Sequence, residues 1–325
     1  MSLAVKGLLG LAVFLVGLGA YTVLATWRIE SNYPPLGKFV EVSSGRLHYL
    51  DAGEGVPIVL LHGASASLRD FQASILPELA KKHRVIAFDR PGYGYSERIA
   101  DGWLSPAKQA AIIREALEKI GADRPIIVGH SWAGSVALAY ALDYPDEISG
   151  AVLLAGAVNS WETGVSWSNS AAGIAVVGPV FSSTIVFPAG QALLESAVSN
   201  VFSPEQPPAG YLERTGAILA IRPGAFRSSA EDVRNLSAFL ELQERRYDKI
   251  EVPLLLVTGE KDTIVPAWNH ADRLAKRLPD AKLVELEGAG HALHHSRRDM
   301  VIHLIDEFIQ ELPTWPSAQR SAKLG

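Results

Sequence analysis

The sequence predicts an α/β fold: a mostly parallel central sheet flanked by helices, with an inserted helical cap and an N-terminal transmembrane helix. Three observations carry this. Short apolar runs at residues 58–61, 85–88, 126–128, 151–154, 254–257 and 283–286 are each bounded by turn residues, as expected of strands buried on both faces. Helical apolar stripes lie between several of them. Over residues 158–250 that alternation breaks.

In chain order, residues 7–26 come first, uncharged and strongly apolar from Gly7 to Thr26 and bounded by Lys6 and by Trp27-Arg28. They match the roughly 20 helical residues that cross about 30 Å of hydrocarbon. Trp27 suits the interface, where its ring is half-wet. A secretory signal is the competing reading of residues 1–30, because Val23-Leu24-Ala25 offers small residues at a cleavage position, although the usual apolar region of a signal is shorter. Lys6 and the α-amine lie on one side of the stretch, and Arg28, Lys38 and Arg46 on the other. The reading leans toward an extracytoplasmic main domain.

After Pro34-Pro35, residues 39–42 and 47–50 read as a hairpin around Ser43-Ser44-Gly45. Leu68, Phe71, Ile75 and Leu79 form one helical stripe, Ile112, Ile113, Ala116, Leu117 and Ile120 a second, and Val301, Leu304, Ile305, Phe308 and Leu312 a third. Each is expected to cover a face of the sheet, with Arg114, Glu115 and Glu118 on a solvated side. Residues 158–250 contain Trp161, Trp167, Phe181, Phe187, Phe202 and Tyr211, punctuated by prolines, and are too long for a structureless loop. They read as a mostly helical cap. Residues 171–177 and 180–187 are apolar enough to raise a second membrane contact, but Gly178-Pro179 and Ser182-Ser183-Thr184 interrupt the run, which favours a cap packed over a cleft. The expected division is an anchor or signal over residues 1–30, a core over 31–157 and 251–325, and a cap over 158–250.

Composition excludes several functions. With 325 residues, 48% of them hydrophobic, the chain can bury a large core, and a net charge of −5 with no basic cluster excludes nucleic acid as a partner. The chain has no cysteine, hence no disulfide, thiolate metal site or cysteine nucleophile. Gly92-Tyr93-Gly94 continues to Glu97 where a phosphate-cradling G-x-G-x-x-G needs glycine.

The residues that carry chemistry stand at strand ends. The run at 126–128 stops at Gly129-His130-Ser131 and resumes as a helical pattern from Ala133 to Leu142. A strand turning sharply into a helix lifts the residue at the turn into a cleft, which places Ser131 as a nucleophile. Gly129 relieves strain there, and Ala133 stands where G-x-S-x-G has its second glycine. Gly164-Val165-Ser166 also matches G-x-S but follows no buried strand. A serine needs a base, and the base needs an orienting acid. His291 follows the last strand in Gly288-Ala289-Gly290-His291, and Asp262 follows the preceding one, with Glu260 as a rival acid. All lie at the sheet edge where open α/β folds bind ligands.

These features resemble the α/β-hydrolase superfamily, in its serine-nucleophile, cap-bearing branch. The resemblance spans residues 39–312 and rests on the order Ser131, Asp262, His291, on His62-Gly63-Ala64-Ser65 after the third strand, and on Asp89-Arg90-Pro91-Gly92-Tyr93-Gly94-Tyr95-Ser96 after the fourth. It implies an oxyanion hole from the backbone N–H groups of Ala64 and Trp132, with His62, Gly63, Gly129 and His130 in supporting positions and no cofactor. Some members take the acid after the sixth strand, where this chain has Asn159. Epoxide hydrolases and haloalkane dehalogenases form their ester on an aspartate, so Ser131 disfavours both. The implied reaction is hydrolysis of a small hydrophobic carboxylic ester. A cofactor-free haloperoxidase-like enzyme, an amidase or peptidase, an acyltransferase, and a non-catalytic membrane-tethered binding protein are alternatives. His294 and His295 beside His291 suggest a metal cluster, but no companion carboxylate or thiol is placed for coordination, so none is expected. His303 reads as structural, and Asp89 and Arg90 as loop-organising.

Overall fold

In the computed structural model, residues 1–43, 45–98, 104–162 and 177–312 are described. The apolar runs and the hairpin become one eight-stranded sheet: β1 (Lys38–Val42), β2 (Gly45–Ala52), β3 (Pro57–Leu61), β4 (Arg84–Phe88), β5 (Ile126–His130), β6 (Gly150–Leu154), β7 (Leu254–Gly259) and β8 (Lys282–Leu286), in the order β1-β2-β4-β3-β5-β6-β7-β8. β2 pairs antiparallel with β1 and with β4, and the other pairs are parallel. Leu61 lies opposite Gly129, His130 opposite Leu154, and Gly259 opposite Leu286, so the C-terminal ends of these strands share one edge.

The apolar runs are strands because both of their faces are buried. Ile58, Leu60, Val85, Ile126, Val128 and Val152 belong to one core cluster; Val59, Leu61, Ile86, Ile127, Ala151 and Leu153 belong to the other. That is the period of two expected of a pleated strand. β8 departs from the expectation of burial on both faces, since only Leu286 in it is buried. It is an edge strand, and its Lys282 pairs with Glu311 at 3.0 Å on the surface.

The second stripe forms α4 (Pro106–Lys119), capped by the Ser105 hydroxyl accepting from the Lys108 N–H. It covers one face together with α5 (Gly134–Asp143). The first stripe is not one helix but two, α2 (Leu68–Gln72) and α3 (Leu76–Leu79). The Ser74 hydroxyl donates to the Asp70 carbonyl at 2.7 Å and Pro77 has no N–H to continue the ladder, so the helix breaks between them. Both lie on the opposite face with the third stripe, α12 (Arg298–Glu311).

Between β6 and β7 the described chain is helical: α6 (Val177–Phe181), a π-helical turn (Ser182–Val186), α7 (Phe187–Phe202), α8 (Tyr211–Thr215), a 3₁₀ turn (Ala217–Ile221) and α9 (Pro223–Gln243). Trp167, Gly164-Val165-Ser166 and residues 171–176 lie outside the described residues. Ser182-Ser183-Thr184 interrupts the apolar run of the sequence but does not end the helix. Ser182 and Thr184 donate back to the carbonyls of Pro179 and Val180 at 3.1 and 2.7 Å, so the hydroxyls ride inside a helix that widens to a π turn and continues. Between β7 and β8 lies α10 (Ala271–Arg277), and after β8 the short α11 (Leu293–Ser296).

The N-terminal segment is one helix, α1 (Leu3–Asn32), long and apolar enough to cross a membrane, as is the helix over Gly178–Phe202. Leu15, Leu18, Thr22, Ala25 and Ile29 of α1 recur every three or four residues as its covered side. Ile29 packs with Phe187, Leu219 and Ile221, the Thr22 hydroxyl donates to the Ser183 carbonyl at 2.5 Å, and Glu30 pairs with Arg222 at 2.6 Å.

Candidate active site

At the end of β5 the backbone reverses through Ser131, whose φ of +52° is one few non-glycine residues adopt. The strain is held by its surroundings: the Ala157 N–H donates to the Ser131 carbonyl at 2.9 Å, and α5 begins within one turn. A Cβ on Gly129 would overlap the Ala133 carbonyl oxygen, so this glycine is required. The second close approach falls one residue later than the G-x-S-x-G pattern puts it. A Cβ on Gly134 would lie 2.7 Å from the Gly156 Cα, whereas Ala133 is accommodated with its side chain buried.

Asp262 and His291, on the loops after β7 and β8, meet directly. His291 Nδ1 lies 2.7 Å from Asp262 Oδ2, and both residues are buried. Asp262 Oδ1 accepts from the Ile264 and Val265 N–H groups at 2.8 and 2.9 Å, which fixes the carboxylate. Glu260 instead is turned outward, pairing with Lys261 and accepting from the Gly288 N–H at 2.9 Å. Asn159 donates to the Asn269 and His270 carbonyls and does not reach His291 by any hydrogen bond seen among the described residues. The His130 ring, beside Ser131, lies 4.9 Å from that of His291 between centroids.

The loop after β3 presses on the elbow. A Cβ on Gly63 would lie 3.0 Å from the Ser131 Cβ, so the Gly63-Ala64 backbone runs against the serine side chain. No hydrogen bond from the N–H of Ala64 or Trp132 is seen among the described residues. His62 accepts the Arg90 N–H at 3.0 Å on Nε2, which leaves Nδ1–H to donate to the Gly63 carbonyl at 2.8 Å. Burial, aided by the Arg90 charge, lowers its pKa to about 4 and keeps that tautomer neutral. Arg90 donates to the carbonyls of His62 and Gly63 at 2.7 and 3.1 Å, lies over the Tyr93 and Trp132 rings, and pairs with Asp232 of α9. Asp89 accepts from the Leu68 and Tyr95 N–H groups, both at 2.8 Å. Both residues therefore organise loops, and His303 sits on the surface of α12 against Glu307.

One cluster is new to the structure. Asp70 of α2 accepts from His294 and His295 Nε2 at 2.7 and 2.8 Å and from the Tyr211 hydroxyl at 3.0 Å. No carboxylate in the local sequence is placed for coordination with those histidines; the fold supplies one from more than two hundred residues away. The three residues are close enough to hold a metal ion, yet each imidazole faces a separate carboxylate oxygen at hydrogen-bond distance. Burial alone would raise the Asp70 pKa, but attraction and hydrogen bonds from the two imidazoles hold it well below the usual carboxylate range. Burial, with the neighbouring His294 and His291, lowers the His130 pKa well below normal, so His130 stays neutral beside His291. A small pocket beside the Ala64 loop is lined by Ser65, Ser67 and Asp70 from the core side and by Tyr211, Gly216 and Leu219 from the insertion; Ser131 is not among its lining residues.

The family model for the alpha/beta hydrolase fold matches residues 56–297. Haloalkane dehalogenase 2 of Mycobacterium tuberculosis is 29% identical over 287 residues, covering 85% of this chain and 95% of that protein. A solved structure described as an N-acyl homoserine lactone degrading enzyme is 26% identical, with a TM-score of 0.60 over 83% of this chain and all (100%) of its own. A membrane phospholipase A is 21% identical, with a TM-score of 0.68 over 95% of this chain and 97% of its own.

Proposed function

The chain belongs to the α/β-hydrolase family and is an enzyme of the hydrolase type, and on that premise we propose that it cleaves a hydrophobic carboxylic ester through an acyl-enzyme on Ser131. The observation that carries the reading is the 2.7 Å contact of His291 with Asp262 at the sheet edge where Ser131 stands on a positive-φ elbow. In this reading the Ser131 hydroxyl attacks the ester carbonyl, and its proton passes to His291 Nε2. Asp262 holds Nδ1–H and stabilises the imidazolium. The oxyanion accepts from the Ala64 and Trp132 N–H groups. The alcohol leaves with the proton from His291, and a water attacks the acyl-serine by the same route in reverse.

The lactone-degrading relative supports an ester substrate, since a lactone is a cyclic ester. The dehalogenase activity named for the mycobacterial relative is not carried over, because the elbow residue here is Ser131 rather than the aspartate on which such enzymes form their ester. We read residues 7–26 as an uncleaved anchor, with the insertion as a cap; that combination favours an apolar acyl group.

Two measurements test the reading: labelling by a fluorophosphonate, and hydrolysis of p-nitrophenyl esters from acetate to palmitate, each beside Ser131→Ala. Activity that rises with chain length and disappears in the variant is expected. A folded protein whose Ser131 is unlabelled sinks the proposal. Perhydrolysis of acetate by hydrogen peroxide, without ester hydrolysis, would point to the haloperoxidase-like alternative.

A further inference from the structure

We propose that the α6–α7 helix of the insertion lies in the lipid beside α1, so that the bilayer itself is the partner of its exposed face. This rests on the reading of residues 7–26 as a retained anchor.

The argument is one of length. Filling about 30 Å of hydrocarbon takes roughly 20 helical residues. The uncharged stretch of α1 ends at Thr26, but its covered side begins at Leu15, so twelve residues (26 − 15 + 1) serve both as membrane span and as packing surface. At 1.5 Å per residue these extend about 18 Å. Whatever α1 leans on there is drawn into the same leaflet. It leans on the π turn and α7: Thr22 bonds the Ser183 carbonyl, and the Tyr21 hydroxyl donates to Gln191 at 2.7 Å.

That part of the insertion suits lipid. Residues 177–194 carry no charge, and the first acid after them is Glu195. Val180, Ile185 and Leu193 are 55%, 44% and 62% exposed. The Ser182 and Thr184 side chains are buried and bonded to carbonyls of their own helix, so neither hydroxyl is presented on the exposed face. Peeling α1 away instead would open the cluster of Ile29, Phe187, Leu219 and Ile221 and break the Glu30–Arg222 pair. Depth is set at the other end of the helix, where Arg28 and Glu30 mark the return to water. The pocket stands at this boundary: Leu219 packs on Ile29, and a Cβ on Gly216 would lie 2.9 Å from the Tyr33 ring. An ester drawn from the leaflet would reach it without crossing bulk water.

Because the chain has no cysteine, Leu11→Cys, Ile185→Cys, Leu193→Cys and Lys81→Cys each give one labelling position. The full-length variants, carrying an environment-sensitive nitrobenzoxadiazole, are reconstituted into phosphatidylcholine vesicles with or without spin-labelled acyl chains. Labels at 11, 185 and 193 should brighten and be quenched from the lipid, while the label at 81, at the opposite sheet edge, should be quenched only by aqueous iodide. The proposal is overturned if 185 and 193 respond to iodide while 11 responds to lipid. It is also overturned if they are shielded from both quenchers, which would mean that another copy of the chain covers them. Iodide quenching at 11 as well would remove the anchor reading too. None of these outcomes bears on whether Ser131 hydrolyses esters.

Discussion

Arg90 Nη1 lies 3.0 Å from Asp232 Oδ2 with the two side chains 0% and 1% exposed, and this pair joins the loop after β4 to α9 of the insertion. Because Arg90 also holds the His62 and Gly63 carbonyls, the insertion is tied to the Ala64 backbone through one guanidinium. Removing one partner of a buried pair leaves the other charge uncompensated and costs about 3–5 kcal/mol. Asp232→Ala should therefore lower the urea midpoint by that equivalent, since Arg98 also loses a 3.0 Å partner. A loss under about 1 kcal/mol would mean that water reaches the pair.

Asp262→Asn should reduce kcat by about 10⁴ with a smaller change in KM, because the amide favours the wrong imidazole tautomer. Glu260→Gln should stay close to the parent, as Glu260 faces solvent and Lys261. If the second variant takes the loss, the acid has been misassigned.

The elbow makes a prediction of opposite sign at neighbouring positions. Gly129→Ala drives a methyl into the Ala133 carbonyl, which backbone cannot yield, and should abolish fluorophosphonate labelling. Ala133→Gly removes only a buried methyl and should keep labelling at a cost of roughly 0.5–1 kcal/mol. Equal labelling of the two would contradict the packing at this turn.

Stability should fall as pH drops below about 6.5, the unfolded histidine value. Burial is the first cause that lowers His62 and His270, each to about 4, and burial likewise lowers His130 and His294. Between those limits the unfolded chain binds protons that the native one does not, so acid favours unfolding, by up to about 1.4 kcal/mol per pH unit for each histidine. Urea midpoints from pH 7.5 to 4.5 would reveal the slope, and a flat profile would mean that these rings are charged in the folded protein. His270→Gln should shed one histidine's share of it.

Asp70 gives a test of metal against proton. A zinc ion would need the imidazole nitrogens about 2.0–2.1 Å from one centre, whereas each nitrogen here faces its own carboxylate oxygen at 2.7–2.8 Å. Chelation with EDTA should leave the melting temperature unchanged, while Asp70→Ala should lower stability by about 1–3 kcal/mol for each donor left unsatisfied. A drop on chelation would assign the cluster to a cation.

Much of the sheet was legible because a strand buried on both faces has to be apolar throughout, as Ile126 and Ile127 are on opposite core clusters. The elbow was legible because its strain selects small residues within a few positions of Ser131. Asp70 and Asp232 were not: each meets its partner through the fold, Asp70 with His294 and Asp232 with Arg90, and nothing in a local pattern separates either from a surface acid. The split of α2 from α3 escaped periodicity too, since Leu68, Phe71, Ile75 and Leu79 are all buried whether or not the helix is continuous.

Ile29 and Phe187 share one apolar cluster although 158 residues (187 − 29) separate them in the chain. At ribosomal rates of about 5–20 residues per second, the first helix waits roughly 8–30 s for the surface it will finally lean on. During biosynthesis its covered stripe is made without the surface that will cover it, and the insertion then folds against a helix already formed. The wall to which Leu219 contributes is therefore the last part of this region to be finished, closed only when the insertion packs on a helix made well before it.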